Sequence, residues 1–97
     1  MIAHVVEFHA PSERLETIGM RGFHERVVPV LESQPGFEGY LILLSREQGK
    51  LIGVTLWKTD EHGRHAAARL EQERRTGMAE MGATSPIPQR YHVVAQL

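Results

Sequence analysis

Apolar and polar positions alternate along the chain in blocks whose spacing predicts each element in turn. Ile2 to His9 holds Val5, Val6 and Phe8 and runs into Ala10-Pro11, the pattern of a short strand stopped by a residue that has no N–H for a ladder. Ser12 then sits where an N-cap is expected, Glu13 favours the positive end of a helix, and Leu15, Ile18, Phe23, Val27, Val30 and Leu31 recur at near-helical spacing. This predicts a first helix ending near Gln34. It carries Gly19, Gly22 and Pro29, which in an exposed helix interior cost about 1 kcal/mol for each Gly and about 3 for Pro, so a kink or a close contact is expected there.

Gln34-Pro35-Gly36-Phe37 turns the chain, and two apolar runs follow, Tyr40 to Leu44 and Leu51 to Trp57, joined by the polar stretch Arg46 to Lys50. That is a hairpin. Thr59-Asp60 can cap a second helix with Ala66, Leu70, Gly77 and Met81 on its inner face and Arg64, Arg69, Glu71, Glu73, Arg74 and Arg75 elsewhere. Gly77 and Gly82 predict a break near its end, and Tyr91 to Ala95 reads as a last strand.

The order βαββαβ is that of an α+β, ferredoxin-like domain with one antiparallel sheet and two helices on one face. Those helices cover one side of the sheet only. A water-facing second side would show alternation, yet the hairpin strands and Val93-Val94 are apolar on both faces. A homodimer packed through the sheet face supplies the cover; a monomer with an exposed apolar sheet is the other reading.

Composition narrows the classes. With 97 residues the chain is a single domain spanning 1–97, which buries roughly 60 to 65% of its unfolded surface. The net charge is -1, and the 11 Lys and Arg are dispersed, which argues against a nucleic-acid partner. The absence of cysteine removes disulfides, thiolate nucleophiles and Cys-based zinc sites. No apolar run approaches the ~20 residues of a membrane helix, so no membrane partner and a cytoplasmic location are expected.

The segment Gln34-Pro35-Gly36-Phe37-Glu38-Gly39-Tyr40, followed by the hairpin to Thr55-Leu56-Trp57-Lys58-Thr59-Asp60-Glu61, resembles the antibiotic biosynthesis monooxygenase family of dimeric α+β barrel proteins. The resemblance implies a pocket between sheet and helices, and in some members oxidation of phenolic or quinol-like rings by molecular oxygen with no metal or flavin cofactor. Such members use an Asn four residues before the strand Trp; here Gly53 stands at that place. Haem-degrading members use a strand Asn, and this chain has no Asn. Only Trp57 carries over, as a pocket-lining residue.

Several side chains are candidates for the chemistry. Trp57 shares a strand face with Thr55 and Gly53, and Phe23 on the first helix completes the substrate pocket; a register placing Gly39 opposite Trp57 would leave room for the indole. An ordinary core Trp is the competing reading. His65, one turn beyond His62, is the first choice for a catalytic base because imidazole is neutral near pH 7, with a solvated helix start as the alternative. Tyr40 is the second catalytic candidate, a hydroxyl able to bond a phenolic oxygen or to sit at a wet sheet edge. His4 and His9 have opposite strand parity, so at most one faces the pocket, while His92 belongs to the core or the dimer seam, and His24 and Arg26 are expected to face solvent. No triad order, phosphate loop or dinucleotide fingerprint is present. The sequence therefore points to a cofactor-independent monooxygenase acting on a small aromatic compound. A dimeric small-molecule-binding or stress-response protein without catalysis is the alternative.

Overall fold

The computed structural model describes the whole chain, Met1–Leu97. Strand β1 (Ile2–His9) leads into a helix, α1, that runs from Ser12 to Ser33; the hairpin strands β2 (Phe37–Ser45) and β3 (Lys50–Trp57) follow, then helix α2 (Asp60–Met81) and strand β4 (Gln89–His92). The sheet order is β2-β3-β1-β4, with every neighbouring pair antiparallel. This is the α+β ferredoxin-like arrangement expected of a βαββαβ chain.

Helix α1 is not regular. Its turns alternate between α and π geometry, with π segments at Leu15–Gly19 and Phe23–Val27. The first ends on Gly19, where an added Cβ would lie 2.7 Å from Met81 Sδ, so α1 and α2 touch almost backbone to side chain. The second immediately precedes the last α segment, Val28–Ser33, which carries Pro29 in its opening residues. Because the helix is continuous through this point, the missing N–H leaves one carbonyl of the preceding turn without its helical donor, and the wide π turn directly before Pro29 is where the helix accommodates it. Ser12 is not the cap: Pro11 holds that position, and the Ser12 hydroxyl donates to the Arg46 carbonyl.

Helix α2 starts as its sequence requires, with the Thr59 hydroxyl accepting from the His62 N–H at 3.2 Å. It does not break at Gly77. It continues to Met81 and stops at Gly82, which adopts φ 63°, the left-handed cap that glycine reaches without a Cβ clash.

Two registers depart from expectation. Phe37, not Gly39, lies opposite Trp57; a bulge between Phe37 and Gly39 places Gly39 opposite Leu56. The last strand ends at His92, so Val93-Val94 are outside the sheet, and Val94 is fully open to solvent. β4 pairs with β1 only from Ile2↔His92 to Val5↔Gln89, and one further bond, Val93 N–H to the Met1 carbonyl at 3.0 Å, closes that edge.

The core lies between sheet and helices in two clusters, Leu15, Leu51 and Met81 at one end and Leu31, Trp57 and Ala66 at the other. The opposite sheet face carries Val5, Leu41, Leu43, Ile52, Val54 and Leu56, and Leu41 and Leu43 are exposed. The uncovered apolar face inferred from the hairpin is thus present, although Val93-Val94 do not belong to it.

Candidate active site

Between the two core clusters the helices stand off the sheet and leave a cavity of about 170 Å³. An apolar cavity of about 150 Å³ already accepts a benzene ring. The floor is the helix-facing side of β1 and β3, with His4, Val6 and Phe8 beside Leu51, Gly53, Thr55 and Trp57; α1 and α2 form the walls. Strand parity decides this membership, because side chains alternate faces and cross-strand partners share one. Gly53, where the family resemblance calls for an Asn, meets nothing closer than Ile42 Cδ1 at 3.7 Å from an added Cβ, so its missing side chain is part of the space.

Trp57, Phe23 and Thr55 are brought together in this lining. The Trp57 indole is buried and donates its N–H to Thr55 Oγ1 at 2.8 Å, and Phe37 packs on it with ring centroids 5.5 Å apart. Tyr40 lies on the same sheet face but outside the lining. Its ring sits edge-on to Phe23 at 5.4 Å and stacks on Phe37 at 6.4 Å, forming an aromatic rim that is partly open to solvent.

The histidine of the cavity is His4. It pairs with Thr55 across β1 and β3, which places it on the Trp57 face, and only 8% of it is exposed. Its Nε2 is buried without a hydrogen-bond partner and presses against α2 where Gly63 has no side chain; a Cβ there would come within 2.5 Å of Nε2. Asp60 Oδ1 lies 3.7 Å away, too far for a hydrogen bond but close enough to attract an imidazolium. Burial pushes the His4 pKa below 6.5, against the opposing pull of Asp60, so the ring is neutral at pH 7. Asp60 is itself held by Arg90 at 2.7 Å and Arg64 at 3.1 Å. Burial works to raise its pKa, but these arginines, chiefly Arg90, win and keep it below the ordinary carboxylate value.

His65 does not reach the cavity. It is exposed on the outer side of α2, in a shallow surface depression with Glu61, His62 and Arg64, while His62 Nδ1 is 2.8 Å from Thr59 Oγ1. His9 faces the other side of the sheet beside Glu7, and His92 is exposed on the edge strand rather than in the core. Arg26, expected in solvent, instead lines the cavity, because the second π segment rotates it inward over Gly22. His4 had a signal in the sequence, its opposite parity to His9, but parity alone does not say which face meets the helices.

The chain matches the antibiotic biosynthesis monooxygenase family over residues 1–74. It belongs to that family. Among solved structures it is similar to SnoaB, a cofactor-independent oxygenase from Streptomyces nogalater, at 19% identity over 99% of this chain and 95% of that one, with a TM-score of 0.69. It is similar to the monooxygenase ActVA-Orf6 of Streptomyces coelicolor, solved with nanaomycin D, at 15% identity over 93% and 82%, with a TM-score of 0.70. A Deinococcus radiodurans protein assigned to the same family matches at 14% identity over 100% and 96%, with a TM-score of 0.76. These likenesses establish the shared fold. No curated protein sequence matches the chain.

Proposed function

We propose that this family member is a cofactor-independent monooxygenase that oxidises a small phenolic or quinol-like ring, working as a homodimer joined through the uncovered sheet face. The observation that carries the reading is His4, a neutral imidazole on the floor of an apolar, aromatic-lined cavity. With Nε2–H turned toward Asp60, the lone pair of Nδ1 is the base. It takes the phenolic proton, and the Asp60 carboxylate stabilises the imidazolium that results.

The phenolate is electron-rich enough to react with molecular oxygen directly. A ring carbon carrying a hydrogen atom forms a bond to one oxygen atom, and the outer oxygen takes the proton back from the His4 imidazolium. The hydroperoxide then loses that carbon's hydrogen with its outer O–H as water, leaving a quinone. One oxygen atom enters the product and the other leaves as water, so the phenol itself supplies the electrons. Trp57, Phe23 and Thr55 are the wall against which the ring stacks, and Tyr40 closes the rim. His4 takes the proton-accepting role expected of His65, whose position on the outer surface leaves it no path to the ring.

One observation favours a non-catalytic binding protein as the second reading. Thr55 Oγ1 and Trp57 Nε1 are bonded to each other, and Gly53 supplies no donor, so this end of the cavity offers little to stabilise a developing oxyanion.

Oxygen uptake in a panel of small phenols and quinols, with the wild type and His4→Gln, separates the two. Uptake that matches quinone formed and falls with His4→Gln supports the oxygenase. Saturable binding of the panel without uptake makes the protein a binder.

A further inference from the structure

Apart from His4 and Thr55 on its floor, the polar lining of the cavity lies on the two helices, where the charges balance but their hydrogen bonding is incomplete. Arg26 of α1 and Glu71, Glu73 and Arg74 of α2 all line it. Glu71 is taken by Arg74 at 2.8 Å and by Arg75 at 2.9 Å. The outer guanidinium nitrogen of Arg26 pairs with Glu80. That leaves two buried atoms with no partner, Arg26 Nε and Glu73 Oε2, and no ion pair joins them.

A buried donor and a buried acceptor left unpaired are each unfavourable, and a ligand that bonds both would remove that cost. The second π segment of α1 is what carries Arg26 inward, and Gly22 makes the room: a Cβ there would lie 2.5 Å from Arg26 Nη2. The backbone is thus shaped to hold this guanidinium against the cavity.

We infer that Arg26 and Glu73 form a polar subsite that selects a neutral ring bearing both a carbonyl and a hydroxyl group. A small turn of each side chain lets Arg26 Nε donate to the carbonyl oxygen and Glu73 Oε2 accept from the hydroxyl. The same pair excludes an aryl carboxylate, because the anion meets the Glu73 carboxylate and offers it no proton. This rests on the cavity being a ligand site, not on its oxygen chemistry.

The test is calorimetric titration of the intact protein with four probes of similar size: 3′-hydroxyacetophenone, whose hydroxyl cannot reach its own carbonyl, phenol, acetophenone and salicylate. The hydroxy-ketone is expected to bind about tenfold more tightly than phenol or acetophenone, the gain of about one good hydrogen bond, and salicylate least of all. Arg26→Lys keeps the charge beside Glu80 but loses Nε, so its advantage for the hydroxy-ketone over phenol should vanish while phenol affinity stays. Glu73→Gln should admit salicylate. Equal wild-type affinities across the first three probes, or salicylate binding as well as the hydroxy-ketone, overturn the subsite without recourse to any variant. Discrimination without oxygen uptake removes the oxygenase reading and leaves this one standing; uptake without discrimination does the reverse.

Discussion

Trp57 and Thr55, two residues apart on one face of β3, satisfy each other: the indole N–H donates to the hydroxyl oxygen at 2.8 Å. The Trp is almost wholly buried, so bulk solvent does not reach that N–H. Thr55→Val keeps the shape and removes the oxygen, stranding the N–H at a cost of about 1 to 3 kcal/mol. Urea unfolding should show the loss; an unchanged midpoint would mean that the indole finds another acceptor.

The contact between His4 and Gly63 sets two effects against each other. Ala in place of Gly normally adds about 1 kcal/mol of helix stability, but here its Cβ lies 2.5 Å from the imidazole, and overpacking of that kind costs about 1 to 3. Gly63→Ala is expected to lose about 1 kcal/mol net in urea unfolding. A gain in stability would show that the imidazole is free to move.

Because burial holds His4 below its usual 6.5, against Asp60, the acid limb of any oxygenase rate profile should lie below pH 6.5. His4→Gln should lower the rate by about 10²- to 10⁴-fold and abolish that limb. For stability the sign is the same. The unfolded chain binds the proton more readily, so the contribution of His4 is complete above pH 6.5 and is lost as pH falls through the lower folded value.

Glu71 gives a second, more acidic window. Its hydrogen bond to Arg74, opposed by burial and aided by Arg75, brings its pKa from 4.5 to about 2. Stability from this group is present above pH 4.5 and lost as pH falls through about 2. The carboxylate is 39% exposed, so solvent screening holds the effect to less than about 1 kcal/mol. Thermal midpoints measured at low salt should fall less steeply with acid in Glu71→Gln than in the wild type; parallel curves would contradict the ion pair.

The sheet face bearing Leu43 predicts assembly. Light scattering of the wild type should give twice the chain mass, and Leu43→Glu, placing a charge on this exposed apolar surface, should give the single mass with the fold retained by circular dichroism. A wild-type monomer at micromolar concentration would refute the sheet-to-sheet dimer.

Where local pattern and tertiary demand agreed, the chain could be read directly. β1, the hairpin and the Thr59 cap all lie where apolar runs and turn residues put them. Arg26 was hidden because two π segments shift the helical period that its expected exposure relied on. Val93-Val94 have strand-like side chains but almost no backbone to pair with, since β1 is nearly used up at Ile2↔His92. Trp57 lines the cavity, but its register departs from the sequence expectation, because a bulge leaves no clear mark in composition. His65 is conspicuous in the sequence as a histidine near a helix start, yet it lies on the outer surface of α2, whereas the place of His4 in the cavity depends on which strand face the helices cover.

The wide turns of α1 give the cavity a property that the uninterrupted α-helix α2 lacks. A π turn closes its hydrogen bond over one residue more than an α turn does. Leu15 and Leu31 are anchored in separate core clusters, so the slack lies between them, in the stretch that carries Gly19, Gly22, Phe23 and Arg26. Trading π for α hydrogen bonds there would advance one side chain over the cavity while both anchors stay in place. The ceiling of this cavity is therefore set by two wide turns held between fixed anchors, so its lining depends on the geometry of the helix as well as on the size of its side chains.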